Sequence, residues 1–374
     1  MPMLTESESA LARAVLIHGP ISRRSLTSRL GLSPASLTRL AKPFLDRGIL
    51  VEQGETQDGS VGRPTRPLDI APDLGVFIGV KLTGDRVYAA LTDVRARLLA
   101  TSEAPIEKRD PEAVVAAVEK AIDSFGTARP NGIGVSIGGV VSDGVVEFAP
   151  FLGWQDVDFA AALSQRTNAP VTVENDLVAL AEAERWFGLG RGIDGFSVIT
   201  IGEGIGYALV VHGEVVRSRE AGVGLGGHLP LAATGPLCAE GHRGCAQALL
   251  TSGSIAAQVS GALQRPVEYD EVLKLASEGN PAARAVTGAA ADALGRFVAL
   301  AANLTMQPAV VLAGDGVALF ALEESRVRAA IAADRDPRAD PIAIYVDDSS
   351  FTAWARGAAA VAIQAAVAGL TLDP

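Results

Sequence analysis

The chain has 374 residues, 48% of them apolar, which is enough for about two or three domains with buried cores. A formal net charge of −11 argues against a surface that is basic throughout, as a general nucleic-acid coat would be. No apolar stretch reaches the roughly 18 residues that a membrane helix needs, and residues 1–10 are acidic where a signal peptide would be basic. The composition therefore predicts a cytoplasmic protein with no membrane association.

The charge is unevenly distributed along the chain. Residues 1–70 hold nine Lys and Arg against seven Asp and Glu, whereas residues 71–374 hold 23 against 36. The sequence therefore predicts a small, slightly basic N-terminal domain, here called the head (residues 1–70), followed by an acidic body (residues 71–374). This asymmetry permits DNA binding by the head alone.

The head has the sequence pattern of a helix-turn-helix. A first helix is predicted to end near residues 18–20, and a second spans residues 23–30 and is closed by Gly31. A third helix begins after Ser33, which can cap it, with Pro34 in its first turn. This order of helices and turns is typical of DNA-binding heads.

DNA contacts are predicted from the outward face of the third helix and from the segment that follows it. Short polar residues near the start of this helix can reach base edges, whereas basic side chains suit phosphates. The predicted DNA-binding residues are Ser33, Ala35, Ser36, Arg39, Lys42, Arg63 and Arg66.

Two short strands, at residues 49–53 and 68–70, are predicted to flank a wing over residues 54–67. Prolines and glycine hold the wing extended, so Arg63 at its tip can enter a minor groove, where negative potential attracts it. The alternative interpretation of the head is a three-helix protein-interaction module with a basic linker.

The body shows one pattern of strands twice. The two sets of strands are predicted at 76–82, 87–93 and 98–102, and at 197–201, 207–211 and 214–216. Each set precedes helices, and this repetition predicts an α/β protein with the duplicated actin-like, ribonuclease-H-like fold and a ligand cleft between its lobes.

A polar triplet, Glu174-Asn175-Asp176, lies between a predicted strand and a predicted helix. Ligands are commonly bound at such junctions. The alternative is that Asp176 only caps the helix that follows.

Several motifs follow one another in a recognisable order. They are GIGVSIGGVVSDG at 132–144, FLGW at 151–154, ENDLVALAE from 174, GEGIG at 202–206, GLGGH at 224–228 and C-x-E-G-x-x-G-C at 238–245. From about residue 71 to its end, the chain resembles the ROK family of sugar kinases and sugar-responsive repressors. The resemblance implies a first lobe of residues 71–190 with the C-terminal helix near 352–374, and a second lobe of residues 191–351. The winged helix-turn-helix head resembles the repressor branch, so we expect an oligomeric regulator of carbohydrate-related genes, a homodimer or homotetramer that binds operator DNA and represses.

The kinase machinery of the family is incomplete in this sequence. By resemblance, Asp176 matches the catalytic base, and residues 202–206 and 314–316 match the turns beside the nucleotide. The first phosphate loop, D-x-G-G-T in the kinases, corresponds to Lys81-Leu82-Thr83-Gly84-Asp85, and Glu203 replaces a threonine. A lysine in place of the carboxylate, one glycine fewer and an added negative charge all disfavour a polyanion. No kinase turnover, no catalytic residue and no ATP are therefore expected; the alternative is an ATP-dependent sugar kinase with an accessory head.

The sugar-binding positions are partly retained. The family's sugar contacts correspond to Gly139, Asn175, Asp176, His228 and Gln247, which are the predicted effector-binding residues. A further family glutamate corresponds to Leu225, which cannot pair with a hydroxyl, so the expected effector is a carbohydrate that lacks or masks one hydroxyl. The alternatives are a cleft kept only as scaffold, or a regulator that answers to a protein partner or to no diffusible ligand.

The two cysteines lie near two histidines, a composition that suits a metal site in a reducing compartment. By resemblance to the family's zinc motif, the predicted ligands are His228, Cys238, Glu240 and Cys245, with His242 nearby. Zinc accepts nitrogen, sulfur and carboxylate oxygen, so a structural zinc is the predicted cofactor. The alternatives are a local disulfide, or a loop held by packing and by the Gly244 turn.

Overall fold

The computed structural model describes residues 4–54, 66–126, 129–218 and 220–372. Within these residues the helices are α1 (Glu6–His18), α2 (Arg23–Leu30), α3 (Pro34–Asp46), α4 (Pro111–Asp123), α5 (Phe159–Thr167), α6 (Asp176–Trp186), α7 (Ala246–Leu250), α8 (Ser252–Leu263), α9 (Tyr269–Ser277), α10 (Pro281–Thr305), α11 (Ala318–Ala333) and α12 (Ser350–Ala368). The strands are β1 (Leu50–Glu52), β2 (Leu68–Ile70), β3 (Val76–Leu82), β4 (Arg86–Asp93), β5 (Leu98–Pro105), β6 (Gly132–Ile137), β7 (Val140–Ser142), β8 (Val145–Ala149), β9 (Trp154–Val157), β10 (Val171–Asn175), β11 (Phe196–Ile201), β12 (Ile205–Val211), β13 (Glu214–Val215), β14 (Ala309–Ala313) and β15 (Ala343–Val346).

The described residues fall into two compact units. Unit 1 lies within residues 1–137, 143–174 and 355–374, and unit 2 within residues 138–142 and 175–354. The lobe boundary was predicted near residue 190, whereas α6 belongs to unit 2. The reason is packing, because Leu177, Val178 and Leu180 of α6 bury their side chains in one core with the unit 2 strands β11 and β12.

The head is a winged helix-turn-helix, as predicted. Ser22 and Ser33 cap α2 and α3 through their side chains, and Gly31 ends α2 in the left-handed conformation with φ of 65°. The three helices bury an apolar core, and β1 pairs antiparallel with β2 from Leu50 opposite Ile70. Of the predicted wing (residues 54–67), residues 55–65, which include Arg63, lie outside the described part of the chain.

The remainder of unit 1 is built on a five-stranded sheet with the order β10-β6-β3-β4-β5. β3 pairs antiparallel with β4 and parallel with β6. Gly79 and Gly134 on these two strands allow α12 to lie directly on the sheet, because a Cβ at either position would overlap the α12 carbonyls of Ala355 and Ala358.

Unit 2 repeats this arrangement. Its sheet has the order β13-β12-β11-β14-β15, with β11 antiparallel to β12 and parallel to β14. The central strand of each sheet, β3 in unit 1 and β11 in unit 2, therefore has an antiparallel neighbour on one side and a parallel neighbour on the other. The duplicated α/β fold predicted from the repeated strand pattern is confirmed.

Two helices, Pro281–Thr305 and Phe351–Ala368, are long and apolar enough to cross a membrane by length and composition alone. However, 67% and 50% of their most apolar 18-residue stretches are buried inside the protein. α10 contributes Leu294, Phe297 and Val298 to the main core of unit 2, so packing within the protein accounts for its apolar composition.

Candidate DNA-binding and ligand-binding sites

The outward face of α3 carries most of the predicted DNA contacts. Ser33, Ala35 and Arg39 are exposed, while the opposite face of the helix is buried. Ser36 is half-buried, and its hydroxyl accepts a hydrogen bond of 2.9 Å from the hydroxyl of Ser33. Thr38 is also exposed on this helix. Thr38 was not among the predicted contacts, although its position three residues after Ala35 could have indicated the same face.

The basic residues of the predicted DNA surface differ in their surroundings. Lys42 is exposed but forms an ion pair with Asp46 one turn further on, with 2.8 Å between Nζ and Oδ2. Arg66 is exposed just before β2, and Arg63 lies outside the described residues. Lys42 is therefore partly neutralised in the absence of DNA, whereas for Arg39 no such ion pair is found among the described residues.

The helix that follows β10 is capped by a different residue from the one considered above. Asn175, not Asp176, is the N-cap of α6: its Oδ1 accepts from the backbone N–H groups of Leu177 at 3.0 Å and Val178 at 3.1 Å. Its Nδ2 donates to the carbonyl of Gly139 at 2.9 Å. The interpretation of Asp176 as the cap is wrong, because Asp176 is already the first helical residue and Asn175, with φ of −57° and ψ of 138°, has the non-helical backbone that a cap requires.

Asp176 is half-buried at the start of α6, and its Oδ1 accepts from the N–H of Leu177 at 2.8 Å. A carboxylate in the first turn of a helix is stabilised by the positive end of the helix dipole. The same position leaves it able to accept a hydrogen bond from a ligand hydroxyl.

The predicted effector residues all lie in unit 2, in two groups. Gly139 is buried next to Asn175. A Cβ at Gly222 would overlap the carbonyl of Gly139, so the turn at Gly139 packs directly on the 221–223 turn. In the second group Gln247 packs on Gly227, the residue that precedes His228. A Cβ built on Gly227 would lie 3.1 Å from the Oε1 of Gln247. The structure thus places Gly139 with Asn175, and Gln247 with the turn that carries His228.

A tight hairpin brings the potential metal ligands together. The N–H of Cys238 donates to the carbonyl of His242 at 3.0 Å, so these two residues face each other across the Gly241 turn. Cys238, His242 and His228 have ligand atoms that all lie within 4.8 Å of one another. His242 was noted near the predicted ligands but was not itself predicted to be one. Its position four residues after Cys238, across a glycine turn, could have indicated that the two side chains lie close together.

The spacing of these three ligand atoms suits zinc. The two Nδ1 atoms of His228 and His242 are 3.1 Å apart, and the Sγ of Cys238 lies 3.8 Å and 3.7 Å from them. A tetrahedral zinc ion with ordinary bond lengths separates two nitrogens by about 3.3 Å, and a sulfur and a nitrogen by about 3.6 Å. The donor atoms and their separations therefore fit this metal.

The other two predicted ligands, Cys245 and Glu240, differ in their burial. Cys245 is buried; burial raises the pKa of its thiol, and its neighbour Cys238 raises it further. Glu240 is exposed; a hydrogen bond with Cys238 lowers the pKa of its carboxyl, and its Oε2 lies 4.0 Å from the Nε2 of His228. Both cysteines are free thiols, so the local disulfide considered above is not formed.

The turns that would face a nucleotide are occupied by the protein's own groups. In unit 2, a Cβ at Gly202 would overlap the carboxylate of Asp315, whose Oδ1 lies 3.4 Å from the N–H of Glu203. In unit 1, the hydroxyl of Thr83 lies within hydrogen-bond distance of the Oδ1 of Asp85 and accepts from the N–H of Arg86 at 3.0 Å. Lys81, in place of the family's aspartate, is buried in β3.

A winged head of the DNA-binding type, joined to a duplicated α/β body with glycine turns, defines a two-part protein whose body has the fold of sugar kinases. The sequence profile of the ROK family matches residues 77–365, and the chain belongs to the ROK family. This confirms the resemblance found in the sequence.

Named relatives are regulators. The chain is 24% identical over 277 residues to the xylose repressor of Bacillus subtilis, covering 72% of each chain. It is 27% identical over 328 residues to the DNA-binding transcriptional dual regulator NagC of Escherichia coli, covering 83% of this chain and 80% of the relative.

Solved structures include both regulators and kinases. A ROK family transcriptional regulator, described as a homologue of the Escherichia coli MLC protein, is similar along 97% of both chains with a TM-score of 0.80 and 24% identity. A ROK family glucokinase from Streptomyces griseus, solved with glucose and AMPPNP, covers 77% of this chain and 99% of its own, with a TM-score of 0.65 and 25% identity. The likeness to the regulator extends over nearly the whole chain, and that to the kinase does not.

Proposed function

We propose that this protein is a DNA-binding transcriptional repressor whose ROK body senses a carbohydrate-type ligand. The observation that carries the proposal is the exposed face of α3, with Ala35, Thr38 and Arg39 on a capped helix of a winged helix-turn-helix. Such a helix enters the major groove, where short polar residues reach base edges and arginines reach bases or phosphates. The relatives named as repressors have the same family body, and they support the proposal.

The test of DNA binding uses the full chain and a duplex library of random sequence. We expect selective binding that weakens steeply as salt rises, because each phosphate contact releases counterions. Absence of binding at low salt by the intact protein would contradict the regulator function. Binding observed with the full chain could not come from nonspecific attraction to the body, because the body is acidic and repels DNA.

The proposed ligand is a sugar or sugar derivative bound in unit 2 by Asp176, His228 and Gln247, with Asn175 and Gly139 shaping the site. A carboxylate, an imidazole and an amide offer the directional hydrogen bonds that hydroxyl groups need. Leu225 is 58% exposed and adds an apolar surface to the 225–228 turn. We therefore propose a ligand with an apolar substituent, or a missing hydroxyl, at the position that faces this turn.

A sugar kinase is the second candidate, since the likeness to a glucokinase and the retained Asp176 favour it. Two features argue against turnover. Asp315 and Glu203 place two carboxyl groups at the turn where a nucleotide phosphate would bind, and like charges disfavour a polyanion there. The buried Lys81 cannot replace the carboxylate that a phosphate-bound magnesium ion requires. We propose that the body binds a sugar without phosphorylating it.

We also propose that the protein binds a structural zinc ion through His228, Cys238 and His242, with Cys245 as the fourth ligand. Cys245 is preferred to Glu240 because it is buried beside Cys238, and structural zinc sites favour sulfur over carboxylate. The Oε2 of Glu240 lies 4.0 Å from the Nε2 of His228, beyond hydrogen-bond distance, so this ring nitrogen is left for a ligand hydroxyl while Nδ1 faces the metal. Zinc would fix the hairpin at residues 238–242 and with it the turn that carries His228.

The working form is proposed to be a cytoplasmic homodimer or homotetramer. One helix-turn-helix contacts a half-site only, and two heads with a fixed separation recognise two half-sites. A ligand that binds one arrangement of the body more tightly than another would change that separation and release the operator.

A further inference from the structure

The turn between β4 and β5 in unit 1 reaches the head through one side chain, Arg95. Its Nε donates to the carbonyl of Leu16 at 2.9 Å, and its Nη2 donates to the carbonyl of Val15 at 3.1 Å and pairs with the carboxylate of Asp69. Leu16 and Val15 are in the last turn of α1, and Asp69 is in β2. One guanidinium therefore connects a helix and a wing strand of the head to the hairpin of the first lobe.

The two side chains of this joint are largely buried, and Asp69 makes further hydrogen bonds within the head. The side chains of Arg95 and Asp69 are only 14% and 10% exposed. The two oxygens of Asp69 also accept from the N–H of Ile70 at 2.9 Å and from the Nε2 of Gln53 at 3.3 Å. A buried pair with this many additional hydrogen bonds holds a defined geometry, unlike an exposed ion pair.

The turn that carries Arg95 is itself held in place. The Oδ1 of Asp93 accepts from the N–H groups of Arg95 at 2.8 Å and Arg97 at 2.9 Å. On the opposite side Gly19 leaves room for the guanidinium, because a Cβ there would be 2.6 Å from Arg95 Nη2 and 2.6 Å from Asp69 Oδ1. The joint thus has specific residues on both sides, and a carbonyl-rich helix end is a favourable place for a cation.

We propose that Arg95 locks the head to the first lobe, so that the lobe sets the orientation of α3 and a movement of the lobe is carried directly to the DNA. This inference rests on the proposed function only for its DNA readout. The head is then a rigid extension of the lobe and not a domain on a flexible tether, although residues 71–75 between β2 and β3 would be long enough to act as a short hinge.

The joint itself is tested in the full-length protein by hydrogen exchange. In Arg95→Met we expect peptides from α1, α2 and α3 to exchange on the order of tenfold or more faster, while peptides from β3 and β6 keep their protection, because the head opens by itself once it is uncoupled. Arg97→Met is the matched control, since Arg97 lies on the same turn with its side chain exposed. Equal exchange of the head in the two variants would overturn the proposal.

The consequence for DNA is tested with duplexes recovered from a random library by the wild-type protein, then rebuilt with the half-sites separated by one additional base pair at a time. The wild type and Arg97→Met should favour one spacing by on the order of tenfold, whereas Arg95→Met should bind several spacings with similar affinity. A spacing preference unchanged in Arg95→Met, or a recovered duplex with a single half-site, would overturn the coupling role.

A second variant covers the case in which Arg95→Met does not fold. Arg95→Lys keeps the charge beside Asp69 but cannot make the forked contacts to both carbonyls, so it should fold and show the same two effects to a smaller degree. No DNA binding by any of these proteins would contradict the proposed function, while the exchange comparison would still decide whether the joint exists.

Discussion

The carboxylate of Asp315 lies against Gly202, at the carboxyl ends of the neighbouring parallel strands β14 and β11. This edge of an α/β sheet is where phosphates are commonly bound, and here it is occupied by a negative charge that belongs to the protein. With Glu203 alongside, the turn repels the groups that its glycines could otherwise accommodate.

The first prediction concerns this turn. Wild-type protein with ATP and magnesium should phosphorylate no hexose or amino sugar above an Asp176→Asn control. The double variant Asp315→Gly with Glu203→Thr should bind inorganic tripolyphosphate on the order of tenfold or more tightly than the wild type, because two like charges are removed. The thermal shift caused by tripolyphosphate measures this difference, and equal shifts in the two proteins would show that these carboxylates do not control the site.

The second prediction distinguishes the structural role of Asn175 from the ligand-binding role proposed for Asp176. Asn175→Ala removes the cap of α6 and the bond to Gly139, so it should lower the free energy of unfolding by about 1–2 kcal/mol. Asp176→Asn should lower the free energy of unfolding by only about 0.3–1 kcal/mol, the contribution of a carboxylate in the first turn of a helix. It should also lose a charge-assisted hydrogen bond to a ligand, which is worth roughly 1.5–3 kcal/mol.

Denaturant unfolding and ligand titration of both variants measure the two effects. For Asp176→Asn the ligand concentration needed for operator release should rise on the order of tenfold or more. Unchanged release would show that Asp176 is not a ligand contact.

Much of the fold could be predicted from the sequence because its local signals agree. Ser33 with Pro34 marks the start of α3, and Gly31 marks the end of α2, each through a short-range effect that needs no tertiary information. The repeated strand patterns likewise predicted the three antiparallel strands with which each five-stranded sheet begins.

The sites were less predictable, because they depend on contacts between distant residues. The choice between Asn175 and Asp176 as cap depends on a backbone angle, and Asn175 is favoured by its bond to Gly139, 36 residues earlier. The position of Asp315 beside Gly202 requires the pairing of β11 with β14. The joint at Arg95 joins residues about 80 apart and leaves no local pattern in the sequence.

The third prediction concerns α3. Arg39→Ala should weaken binding to all DNA sequences and reduce the slope of affinity against salt by about one, as expected for the loss of one phosphate contact. Lys42→Ala should have a smaller effect, because Asp46 already partly neutralises this lysine.

Thr38→Ala and Ser36→Ala should change sequence preference more than overall affinity. Fluorescence anisotropy at several salt concentrations distinguishes the two classes. Equal salt slopes for Arg39→Ala and the wild type would remove Arg39 from the phosphate contacts.

The fourth prediction concerns zinc. Purified protein should contain about one zinc ion per chain, and a strong chelator should lower its Tm, since metal bound only by the folded state stabilises it. His242→Ala should lose the metal, whereas His212→Ala, whose side chain is exposed in the turn between β12 and β13, should retain it. Metal content by mass spectrometry measures both; full zinc occupancy in His242→Ala would contradict the proposed ligand set.

The most direct measurement of the central claim is the release of DNA by a sugar. Full-length protein is bound to a labelled duplex selected from a random library, and sugars and sugar derivatives, including xylose and N-acetylglucosamine, are titrated while anisotropy reports the bound fraction. We predict that at least one carbohydrate releases the duplex without ATP, and that Asp176→Asn needs on the order of tenfold or more of it. Tight DNA binding that no carbohydrate changes would contradict a sugar-responsive repressor. So would phosphorylation of the sugar that releases the DNA once ATP and magnesium are added.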